Sequence, residues 1–211
     1  MSQKEFLPFN KREEGKDFVE RRSEVSILQD KIRFYELALG RYRQTIERSE
    51  SKTIADLKAL VEPNEETVIK VKDEIVAGMR PYIYDKHFPI TAEAAHKVVR
   101  EMRTLKNPID FWLTPKELMS LRGGDPMDKA VFLCSLLIAL ENPDAYVIVG
   151  VDGGIKVAVG YRFNDEWRLL DTTSRATISG DKEKIIKEWF GDERQIYEFN
   201  NIHYNQIKGE E

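Results

Sequence analysis

The sequence predicts an α+β fold, in which a buried central helix packs on an antiparallel sheet behind a long N-terminal helical segment. Three observations carry this. The run AVFLCSLLIAL is apolar on nearly every face, so a helix formed there must be central to a core. Three β-type runs follow it, at 145–150, 155–163 and 167–171, separated by Asp152-Gly153-Gly154 and Asn164-Asp165, which is turn chemistry for an antiparallel meander. And no proline stands between Pro8 and Pro63, a stretch rich in Glu, Lys, Arg, Leu and Ile.

In that stretch Val25, Leu28, Ile32, Tyr35, Leu39, Tyr42 and Ile46 recur at alternating spacings of three and four, with Phe18 one heptad earlier. This is the stripe of a coiled-coil seam. It serves either homo-oligomerisation or partner docking through residues 25–46, or packing on the chain's own domain. Tyrosines in the seam and the off-stripe Ile27, Phe34 and Leu37 favour the last. Leu57, Leu60 and Val61 close the region, so the predicted division is a helical, coiled-coil-like segment at 1–62 and a folded domain at 63–211.

Asn64 is a good N-cap, with Glu65 and Glu66 in the first turn of a helix whose apolar face is Val68, Val71, Ile75 and Met79. A second helix is expected from Thr91, with Ala95, Val98, Met102 and Leu105 inward and Asn107-Pro108 as its stop. Thr114-Pro115-Lys116-Glu117 reads as a capping box with proline at the first helical position. After Gly123-Gly124, the series Asp125-Pro126-Met127-Asp128 repeats that signal and starts the central helix, which Asn142-Pro143 ends. A charged helix at 182–190 and a strand at 195–199 complete the reading.

Composition excludes several function classes. A formal charge of −4 leaves no basic footprint for nucleic acid. No apolar run is long enough to span a bilayer, and the first 18 residues lack the apolar core of a secretory signal. The single cysteine, Cys134, suits a reducing cytoplasm. His87, His96 and His203 have no metal-ligand spacing, so neither a metal nor another cofactor is expected.

The stretches FWLTPKELMSLRGGDPMDKAVFLCSLLIAL, DAYVIVG and EWRLLDTT resemble the transglutaminase-like superfamily of papain-type folds over residues 64–175, most densely over 112–137. Members of that family commonly read Gly-Asp-Cys-Glu-Asp-Lys-Ala at the start of the central helix, then a His-Ala-Trp-Val-like strand, then a Leu-Asp-Pro-Thr-like strand end. Their chemistry needs a thiol at the helix N-terminus, a histidine to move its proton and an aspartate to orient the ring. The resemblance sets Pro126 at the nucleophile, Val157 at the general base and Asp171 at the orienting carboxylate. It therefore implies the family fold without a working triad, acting as a binding or scaffold module for a protein or peptide partner. The alternative is a hydrolase or acyltransferase with a non-standard nucleophile.

Cys134, eight residues into the central helix, reads as a packed thiol. His96 is expected at the surface or rim. Asp125 and Asp128 cap the central helix; Asp128 and Asp171 would both edge the cleft, where two carboxylates can divide acid and base roles, though local capping explains each. Trp112, Tyr161 and Trp167 either line a remnant peptide groove or fill the core.

Overall fold

The computed structural model describes residues 13–53, 55–106 and 111–209, with side chains from residue 24 onward. It divides into two compact units, residues 1–49 and 50–211.

The described part of the first unit is helical: α1 (Glu13–Glu50) runs through it and ends on the first residue of the second. Its proline-free, Glu/Arg/Leu-rich sequence sustains the helix, and Arg43 and Glu47 add an i,i+4 ion pair at 2.8 Å. The stripe residues Val25, Leu28, Ile32, Tyr35, Leu39 and Tyr42 are exposed, as are Ile27, Phe34 and Leu37. The side chain of Phe18 lies outside the described residues.

The second unit opens with a short 3-10 helix (Asp56–Leu60) that buries Leu57, followed by the buried Val61. Then come α2 (Glu66–Val76), α3 (Tyr84–Glu101), β1 (Arg103–Thr104), α4 (Pro115–Leu121), β2 (Gly123–Gly124) and α5 (Pro126–Ala139). Next are β3 (Ala145–Gly150), β4 (Lys156–Phe163), β5 (Glu166–Leu170), β6 (Thr177–Gly180), α6 (Lys182–Phe190), β7 (Ile196–Phe199) and β8 (Tyr204–Lys208). The main sheet runs β6-β5-β4-β3-β7-β8 and is antiparallel throughout. Alternation along the strands gives it two apolar faces. Val147, Val149, Val159, Tyr161, Leu170 and Phe199 meet α5, while Ile148, Ala158, Leu169 and Ile196 meet Ile185, Ile186 and Phe190 of α6.

Helix α5 is buried from Met127 to Leu137 because the three other helices of its layer (α2, α3, α4) and the sheet surround it. The α+β expectation, with a central buried helix on an antiparallel sheet after a long helix, holds. A small parallel pair, β1 with β2, sets the start of α5; a Cβ on Gly123 would come within 2.7 Å of the Arg103 carbonyl oxygen, so this approach requires glycine.

Several boundaries differ from expectation. The cap of α2 is Glu65, whose carboxylate accepts from the N–H groups of Thr67 and Val68, and the helix stops before Met79. Helix α3 begins seven residues before Thr91 and passes through Pro89, whose missing N–H removes one i→i−4 ladder bond. Thr91 is buried inside it, bonding back to the carbonyls of His87 (3.2 Å) and Phe88 (3.0 Å). Leu105 lies beyond the helix, and the expected stop at Asn107-Pro108 is outside the described residues. Strands β1, β2, β6 and β8 are additions to the sequence reading.

Candidate functional site

The N-terminus of α5 is built from two interlocked caps. The Asp125 carboxylate accepts from the N–H groups of Met127 and Asp128, each at 2.8 Å, and Asp128 Oδ2 accepts from the Asp125 N–H at 3.1 Å. Asp128 Oδ1 also accepts from the Leu113 N–H at 3.1 Å, so one carboxyl ties the start of α4 to the start of α5. Burial, reinforced by the Asp125 charge, pushes the Asp128 pKa up to about 7, against the two backbone N–H bonds that favour its charged form.

Pro126 occupies the first position of α5 and is exposed. Its carbonyl accepts from the buried Thr172 hydroxyl at 3.3 Å, which joins the helix start to the end of β5. Asp171, one residue before, accepts from the Thr173 N–H and hydroxyl, both at 2.7 Å, and from the Ser174 hydroxyl at 2.8 Å. Burial alone would raise its pKa; the bonds from Thr173 and Ser174 outweigh that and hold the group below the ordinary carboxylate value. Val157 is half-buried on β4, opposite Val149, on the sheet face that meets α5.

His96 is buried rather than at the surface, although it belongs to the lining of a cleft. Its Nε2 lies 2.6 Å from the Asp171 backbone carbonyl, which fixes the proton on that nitrogen of the neutral ring. Burial lowers its pKa, with the Asp171 carbonyl partly opposing. The spacing of Phe88, Thr91, Ala92, Ala95, His96 and Val99, all buried on α3, was the signal that would have placed it. Lys129, also buried, donates to the Met102 carbonyl at 3.1 Å and so caps the C-terminus of α3.

The aromatic candidates separate. Tyr161 is buried edge-on against Phe88, with centroids 5.3 Å apart. Trp112 is half-buried against the same core, and its indole donates to the Glu50 carbonyl at 2.8 Å. Trp167, paired in register with Arg162, faces the other side of the sheet, beneath Tyr146 and the Lys182 ammonium. It therefore cannot line one groove with Tyr161. Cys134 is fully buried, and burial pushes its thiol pKa up, the reverse of what a nucleophile needs.

Beside His96 a cleft of about 440 Å³ opens between α3 and the β4–β6 end of the sheet. Arg100, Arg168 and Arg175 line it, none of which the sequence reading singled out. Among the described residues no cluster of His, Cys, Asp or Glu could hold a metal ion, and no helix is long and apolar enough to cross a membrane.

No protein-family model matches the sequence, and no curated protein matches it. Solved structures do. Legionella pneumophila LapG is 14% identical over 74% of this chain and 91% of its own, with a TM-score of 0.51. Its calcium-bound form is 15% identical over 66% of this chain and 79% of its own, at 0.50. Its EGTA-treated form is 14% identical over 74% and 87%, at 0.50. At this identity the likeness shows the fold alone: the chain has the transglutaminase-like, papain-type fold that it shares with these structures.

Proposed function

We propose that this chain is a catalytically silent member of that fold class, acting as a binding or scaffold module for a protein or peptide partner. The observation that carries the reading is Pro126 at the first position of α5. A ring without a nucleophilic atom or an amide N–H stands where the fold's chemistry needs a thiol. Other features agree with it. Val157 offers no base, Cys134 is enclosed and without access to a substrate, and the Asp171 carboxylate accepts three bonds from its own turn. The exposed apolar stripe of α1 offers a partner-docking surface.

A panel of peptide, ester and amide substrates tests this against the hydrolase or acyltransferase alternative. The expected result is no turnover above the buffer rate. Turnover abolished by a single substitution in this chain would overturn it.

A further inference from the structure

We infer that the cleft between α3 and the β4–β6 end of the sheet binds a phosphate monoester, whether or not the chain is catalytically silent. Three arginines on its lining come from three separate segments: Arg100 from α3, Arg168 from β5, and Arg175 from the turn before β6. Among the described residues, no ion pair involves Arg100 or Arg175. Arg168 is held by Glu166 at 3.2 Å and lies at the Tyr161 hydroxyl. The acid on the lining is Glu93. The positive charge stands on the arginines alone, because the buried His96 ring is neutral and its Nε2 is committed to the Asp171 carbonyl.

Three arginines on one lining select the ligand by charge and oxygen count. A carboxylate offers two coplanar oxygens, which satisfy one guanidinium fork. A phosphate monoester offers three terminal oxygens and close to two negative charges, more than one guanidinium can satisfy, and so suits a lining that carries three arginines. The cleft exceeds what a phosphate group fills, so the ligand has an organic part, over Tyr161, Ala92 and Leu170, with Glu93 able to accept from its hydroxyl groups.

Isothermal titration of the full chain with inorganic phosphate and with glucose 6-phosphate tests this, with succinate as the dicarboxylate control. Both phosphates are expected to bind saturably, and Arg100→Gln and Arg175→Gln each to weaken them by about tenfold or more. Neither arginine is buried, so both variants keep the melting temperature of the ligand-free protein. Amide shifts on phosphate addition should map to residues 93–100 and 175–177. No saturable binding, binding indifferent to both substitutions, or succinate bound as tightly as phosphate would each overturn the assignment. Turnover in the substrate panel would overturn the silent-module reading and leave this one standing.

Discussion

Asp125 and Asp128 cap one another: each carboxylate accepts the other residue's backbone N–H, at 2.8 Å into Asp125 and 3.1 Å into Asp128. The two acids thereby lie within one helical turn of each other, and the buried one, Asp128, titrates near pH 7. Its folded-state pKa stands above that of the unfolded chain, so the native state holds a proton that the unfolded state has released. The stability this contributes is full below about pH 4 and is lost as pH rises through about 7. In Asp128→Asn that titration is gone, although the amide loses one backbone bond at every pH. Urea unfolding at pH 4 and pH 8 should show the stability difference moving toward the variant by roughly 2–4 kcal/mol, since a pKa unit is worth about 1.4 kcal/mol. A gap unchanged with pH would mean that Asp128 is an ordinary ionised cap.

Asn200, just after β7, ties the start of β3 to the turn before β8. Buried, it donates to the carbonyls of Pro143 and Ala145 and accepts from the N–H groups of Ile202 and His203. Asn200→Ala strands groups at both ends, and each buried orphan costs about 1–3 kcal/mol. A loss of at least about 2 kcal/mol in denaturant unfolding is expected; a loss below 0.5 or so would mean that water replaces the amide.

Cys134 should resist thiol reagents in native protein and react fully in denaturant, because no part of it reaches solvent and burial disfavours its thiolate. Rapid native labelling would contradict the packed-thiol reading and reopen the search for a nucleophile.

Pro126→Cys places a thiol at the exposed start of α5, where the helix dipole favours a thiolate. Without a base it should remain inert toward amide and ester substrates. Adding Val157→His supplies an imidazole from the neighbouring strand. Iodoacetamide labelling at pH 6 should then be faster in the double variant than in the single one. Equal rates would show that the two positions do not face each other as the proposed reading requires.

Where the sequence states its intent locally, it was legible. Thr114 with Glu117 and Asp125 with Asp128 are capping boxes in the chain as in the structure. What escaped depends on partners distant in sequence. Starting α3 at Thr91 left Phe88 out, and an inward face drawn through Val98, Met102 and Leu105 missed the stripe of Ala92, His96 and Val99 that buries the histidine. Strands β6 and β8 have few buried side chains, so little apolar alternation marks them; they exist because β5 and β7 leave open edges. The arginine cleft joins residues 75 positions apart, from Arg100 to Arg175, and no local pattern announces such a meeting.

The position of β3 at the middle of the sheet has a consequence for the order of assembly. One of its edges pairs with β4, the next strand along the chain, while the other pairs with β7, which α6 and three strands separate from it. Nearby segments meet sooner than distant ones, so the β3–β4–β5 meander closes first and the far edge of Val147–Gly150 waits for the chain to return. Until Ile196–Phe199 arrives, a highly apolar strand presents unpaired backbone groups. During synthesis, this interval is when the chain is most exposed to pairing with another copy of itself.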